Sequence, residues 1–136
     1  MDPNERLDLI LEIISELSSA DSVVLVEGRN DIGALNALGA ECDFIPVQSS
    51  GGPMHVAEEV WRSGRSAVVL TDWDDRGNRI ADDLSRCLDS LGVRYDTGIR
   101  DRLAYLARPY CKDVESLDSV VRTLSMKDAH CKYNYD

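Results

Sequence analysis

Two stretches, SVVLV at 22–26 and SAVVL at 66–70, are apolar at nearly every position rather than at every second one. Successive side chains of a strand point to opposite faces of its sheet, so a strand with one wet face alternates. A strand with no polar face must be covered on both sides, which is the signature of parallel sheets flanked by helices. The segments between these strands carry the helical period. In NERLDLILEIISEL, Leu7, Ile10, Leu11, Ile14 and Leu17 recur at spacings of three and four, which predicts an amphipathic helix over 4–19 with Asn4 as its cap. Further helices are predicted over 30–40, over 53–63 with Pro53 in the first turn, from about Gly77 to Leu91, over 99–108 and over 113–126. CDFIPVQ and VRYDT read as weaker strands, SSGGP as a loop, and HCKYNYD as a loose tail.

Strands alternating with helices imply an α/β fold, a Rossmann-like three-layer sandwich around a central, mainly parallel sheet of about four strands. The length of 136 residues suits a single domain over 1–136, with a core at about 22–95, the helix at 4–19 before it and a helical extension at 98–126 behind it.

Fifteen Lys and Arg against 25 Asp and Glu leave a net charge of −10, which excludes a general basic coat for clinging to nucleic acid. A polyanion would have to be met by a local patch or through bound cations. No apolar run reaches the ~18–20 residues of a membrane span, and MDPNERLDLI has no basic leader region, so no membrane association and a cytoplasmic address are expected. Cys42, Cys87, Cys111 and Cys131 form no Cys-x-x-Cys pair and read as reduced thiols. His130–Cys131 lacks a second half with zinc-ligand spacing.

In open α/β sheets the working groups gather beyond the carboxyl ends of the strands. Glu27 ends the first apolar strand, and TDWDDRG (71–77) follows the second, crowding Asp72, Asp74 and Asp75 together. Clustered carboxylates are hard oxygen ligands suited to Mg²⁺ or Mn²⁺, and Asp72 with Asp74 would suffice to anchor such an ion. The acids are equally the residues that start helices: Asp31 lies in a first helical turn and Asp72 to Asp75 precede the helix from Gly77, positions where a carboxylate suits the helix dipole.

VVLVEGRND holds E-G-x-x-D as Glu27, Gly28 and Asp31, and VVLTDWDDRG holds D-x-D-x-x-G as Asp72, Asp74 and Gly77, each directly after an apolar strand. This ordered pair of motifs resembles the Toprim domain of topoisomerases, bacterial-type primases and several small nucleases, over roughly residues 22–95. The resemblance implies Mg²⁺-dependent chemistry on nucleic-acid phosphodiesters, with Asp72 and Asp74 on the metal and Glu27 as general acid or base or a further ligand. Gly28, Asp31, Asp75 and Gly77 are then supporting residues, the glycines for a sharp turn or a close approach. A chain this short has no room for the remaining domains of a topoisomerase or primase. The small nuclease that matures 5S ribosomal RNA is the most similar in organisation. A non-catalytic, metal-binding Toprim module serving a protein partner is the alternative.

Trp73 departs from the small residue or proline many family members carry between the two aspartates. It either packs against the helix that follows or stacks on a base. Arg76, Arg79, Arg100, Arg102 and Arg108 are candidates for nucleic-acid contact, with solvated or ion-paired roles equally open. The amides of SSGGP can receive a phosphate, though turn chemistry alone explains the segment and no P-loop lysine follows. His55 beside it reads as an ordinary surface or core histidine. A phosphorylation receiver would need an acidic pair after its first strand and a late lysine. A haloacid-dehalogenase-type phosphatase would need Thr or Val where Arg76 stands.

Overall fold

A computed structural model of the chain describes the backbone of residues 1–133 and the side chains of residues 1–126. Four strands, β1 (Ser22–Val26), β2 (Asp43–Pro46), β3 (Ser66–Val69) and β4 (Tyr95–Asp96), form one parallel sheet in the order β2-β1-β3-β4. Helices α1 (Pro3–Ser19), α2 (Arg29–Ala37), α3 (Pro53–Ser63), α4 (Asp75–Ser90), α5 (Gly98–Ala107) and α6 (Leu117–Tyr133) cover its two faces.

The unbroken apolar runs are explained by which face each residue serves. Val24, Val26, Val68 and Leu70 point into a core built with α1, α2, α5 and α6. Their neighbours Val23, Leu25, Ala67 and Val69 point the other way, against Val56, Ala57 and Val60 of α3 and Ala81, Leu84 and Leu88 of α4. Each such Val or Leu, taken out of water, contributes about 1.5–3 kcal/mol. The α/β sandwich expected from the periodicity is therefore the observed architecture.

Strand order reverses between β1 and β3. The chain leaves β1 through α2 to reach β2, then crosses back through α3 to β3, so the crevice at their carboxyl ends is the switch point of the sheet. Val24 pairs with Val68 and Leu25 with Val69, and Leu70 N–H still donates to Leu25 C=O at 2.8 Å. Glu27 and Asp72 therefore emerge side by side.

Several boundaries differ from those the periodicity predicts. Asp2, not Asn4, caps α1, accepting from Asn4 N–H at 2.9 Å, because Pro3 opens the first turn. β4 shrinks to two residues at the sheet edge. α6 starts at Leu117 rather than 113, and residues 108–116 form a loop over the end of β3. Helix α6 runs on to Tyr133, so His130–Tyr133 are not a loose tail; residues 134–136 and the side chains of His130 and Cys131 lie outside the described residues. Among the described residues no helix is long and apolar enough to cross a membrane.

The segments flanking 22–95 form part of the core. Ile10, Leu17, Leu103, Leu117 and Leu124 are fully buried on the first face of the sheet. A fragment limited to residues 22–95 is expected to lack cooperative melting and dispersed amide resonances, whereas residues 1–126 should retain both. A folded 22–95 fragment would show that α1, α5 and α6 are dispensable.

Candidate metal centre

Three carboxylates meet at the switch point. Glu27 stands one residue beyond β1, Asp31 in the first turn of α2, and Asp72 three residues beyond β3. One oxygen of each lies within 4.8 Å of the other two. Glu27 and Asp31 are buried and Asp72 half-buried. Among the described residues no Lys or Arg side chain pairs with any of them. At an effective dielectric of 20, each pair of full charges at this spacing repels by about 3 kcal/mol.

Proton uptake is one relief of that repulsion. Burial, and then the close Glu27 carboxylate, push Asp72 up to about 8, against a lowering by the Val114 N–H that donates to its Oδ1 at 2.9 Å. Burial, followed by the charges of Asp72, Glu115 and Asp113, raises Asp31 to about 6, although Gly28 N–H donates to its Oδ2 at 3.1 Å. A hard divalent cation is the other remedy. Mg²⁺ takes oxygen ligands at about 2.1 Å, so donors converging within a few ångströms fit it.

The structure separates the three aspartates of TDWDDRG. Asp72 joins Glu27 and Asp31. Asp74 is the N-cap of α4, its Oδ1 accepting from Gly77 N–H at 2.7 Å, and it stands outside the converging group, in which Asp31 joins Asp72 and Glu27. Asp74 remains on the rim of the same cleft, about 260 Å³ in volume, with Gln48, Arg76 and Glu115. Asp75 is exposed at the start of α4, the helix-start role.

Gly77 is required by close approach and not by its dihedrals. A Cβ there would lie 1.9 Å from the Asp72 carbonyl oxygen, while Thr71 Oγ1 donates to Gly77 C=O at 2.8 Å. Gly28 is different: its φ is −143°, and a Cβ would meet only the end of the exposed Gln48 side chain, at 3.2 Å. In SSGGP, Gly51 and Gly52 take positive φ values of 87° and 91°, so turn geometry accounts for both.

Trp73 packs, but not on the helix that follows. It is buried in the core on the opposite face from α4, its Nε1–H donating to Cys111 C=O at 2.8 Å and its N–H to Lys112 C=O at 3.0 Å. These bonds, with Val114 on Asp72, pin loop 108–116 to the end of β3. No local pattern announces that contact.

The arginines divide. Arg100, predicted to touch nucleic acid, is instead buried, because α5 packs its first turn against the end of β3 and the main-chain carbonyls there take its guanidinium. Arg102 pairs with Glu16 of α1 at 2.7 Å, on the outer surface. Arg76, Arg79 and Arg108 are exposed; of these three only Arg76 lines the cleft, where Arg29, which the sequence did not single out, also lies.

No family model matches the chain. A UPF0292 protein of Methanosarcina barkeri is 35% identical over 93% of this chain and 88% of its own length. The chain belongs to the UPF0292 family. A UPF0292 protein of Methanocaldococcus jannaschii is 29% identical over 87% of this chain and 94% of its own length. Among solved structures, a protein from Aquifex aeolicus superposes with a TM-score of 0.63 at 28% identity, covering 77% of this chain and 94% of the other. The α/β sandwich is thus shared with a solved structure.

Two outcomes follow from this geometry. Gly77→Ala should cost about 3 kcal/mol or more in chemical denaturation, and Gly28→Ala about 1 kcal/mol; equal costs would refute the close-approach account. The second concerns pH. An acid whose pKa rises on folding stabilises the fold fully below its unfolded pKa, and that contribution is lost as pH climbs through the folded value. In EDTA, Asp72→Asn should therefore melt above wild type by about 5 °C at pH 8, with the gap closing near pH 4. A wild type as stable as the variant at pH 8 would mean the carboxylates do not strain the fold.

Proposed function

We propose that this chain is a Toprim-type protein whose buried acids hold Mg²⁺ or Mn²⁺ for chemistry on nucleic-acid phosphodiesters, acting as a small nuclease on RNA or DNA. The observation that carries the reading is the convergence of Glu27, Asp31 and Asp72 at the switch point with no Lys or Arg side chain ion-paired to any of the three carboxylates among the described residues. The motif pair E-G-x-x-D and D-x-D-x-x-G supports it independently.

Glu27, Asp31 and Asp72 would hold the ion, with Asp74 at the rim. A cation bound there supplies Lewis-acid stabilisation for charge on phosphate oxygens. The chain's own groups do the rest. Glu27 Oε2, which accepts from Asp72 N–H at 3.4 Å, is the atom assigned to proton transfer. Arg76, exposed on the cleft rim, is placed to meet a phosphate, and Arg79 and Arg108 are the remaining nucleic-acid contact candidates. The working compartment proposed is the cytoplasm, where the free thiols of Cys42, Cys87 and Cys111 stay reduced.

A second reading, a metal-binding module that acts with a protein partner, draws support from one observation. Arg100 and Arg102 are committed inside the fold or to an ion pair, which thins the basic surface that a nucleic acid would need.

The test is cleavage of labelled single- and double-stranded RNA and DNA with Mg²⁺ or Mn²⁺. Wild type should cleave at least one substrate, EDTA should abolish cleavage, and Glu27→Gln and Asp72→Asn should each lower the rate by about 100-fold or more. Cleavage undiminished in both variants would sink the enzyme reading of this site. Metal binding without cleavage of any substrate would select the partner-dependent module.

A further inference from the structure

Beyond Val69 the chain leaves the sheet, and the carbonyls of Thr71 and Asp72 need partners that no strand supplies. One side chain collects both. Arg100, from the first turn of α5, donates through Nε to Thr71 C=O at 3.0 Å and through Nη2 to Asp72 C=O at 2.5 Å. The same Nη2 donates to Asn78 Oδ1 of α4 at 2.6 Å. A buried guanidinium is expensive to desolvate, and apolar residues of similar size commonly stabilise a core at least as well. Stability alone is therefore a poor reason for its presence.

Residue 72 is held on every side. Its N–H donates to Glu27 Oε2, its Oδ1 accepts from Val114 N–H, its carbonyl accepts from Arg100, and the bare Cα of Gly77 lies against that same carbonyl. Without the guanidinium the Asp72 carbonyl loses its side-chain donor, and its peptide unit keeps only the bond from Trp73 N–H to Lys112 C=O, which loosens the carboxylate's position against Glu27 and Asp31.

We infer that Arg100 is a positioning residue of the metal centre: it fixes the Asp72 peptide so that the Asp72 carboxylate converges with Glu27 and Asp31. The inference rests on the metal reading above. Charge and geometry act in opposite directions here, which makes the role decidable. A nearby cation repels a divalent ion, so if Arg100 mattered only as a charge, weakening its influence would tighten metal binding. If it positions Asp72, disturbing its grip loosens metal binding. Lysine keeps the charge but lacks the planar fork that spans three acceptors.

The experiment is a Mn²⁺ titration, followed by the electron paramagnetic resonance signal of the free ion, on wild type, Arg100→Lys and Asn78→Ala, with circular dichroism of each. Arg100→Lys should keep the fold and weaken Mn²⁺ binding by about 10-fold or more, as loss of an outer-shell partner commonly does. Asn78→Ala, at an exposed position, should weaken it by about threefold, and it carries the test if Arg100→Lys fails to fold. Mn²⁺ affinity unchanged or increased in folded variants overturns this inference alone. Wild type that binds no Mn²⁺ overturns the metal reading and this inference together.

Discussion

Parallel pairing of β1 with β3 sets Leu25 beside Val69, so the two strands end together and release their chains into the same crevice. That pairing holds because each strand is apolar on both faces and each face is covered, one by α1, α2, α5 and α6 and the other by α3 and α4. Glu27 and Asp72 are 45 residues apart in the chain and adjacent in space for this reason alone. The acids repel one another, and the core packing that puts them together makes the site both costly and specific.

The cost is managed by main-chain donors to the carboxylates and by a guanidinium behind the strand end, not by a direct ion pair. Val114 N–H, Gly28 N–H and Asp72 N–H each donate to a carboxylate of the triad. Arg100 stays behind the strand end, bonded to carbonyls, and leaves the open side of the triad to a ligand. Burial lowers the Arg100 pKa from its ordinary value, yet a guanidinium keeps its proton throughout the physiological range. The arrangement leaves three converging carboxylates in a cleft whose lining also includes Arg29 and Arg76, a set of hard oxygen donors that suits a divalent cation.

Much of this was legible in the chain itself. The doubly covered sheet followed from SVVLV and SAVVL, because periodicity reports which faces are buried. The placement of Glu27 and Asp72 followed from their positions after those strands. The third member of the triad was harder to read. Asp31 looks like a helix-start residue and is one, since its Oδ2 accepts from Gly28 N–H; that it also comes within reach of Asp72 depends on the pairing of β1 with β3, which no local pattern carries. Asp74 offered a signal in the other direction. An aspartate three residues before Gly77 is the N-cap to N3 spacing, and that is how its Oδ1 is used. Arg100 sat in a basic, tyrosine-bearing stretch that reads as a surface, and only the packing of α5 against β3 turns it inward. Loop 108–116 was unreadable because its bonds to the Trp73 and Asp72 side chains join segments about 40 residues apart, and the loop contributes only main-chain groups to them, which carry no sequence identity.

The claim that the acid triad is a divalent-metal centre meets its most direct test in anomalous diffraction from crystals of the chain grown with Mn²⁺. The account predicts one strong anomalous peak at about 2.2 Å from carboxylate oxygens of Glu27, Asp31 and Asp72, absent from crystals of Asp72→Asn. A peak on Asp74 and Asp75 instead, or a well-ordered cleft without one at saturating Mn²⁺, would contradict it.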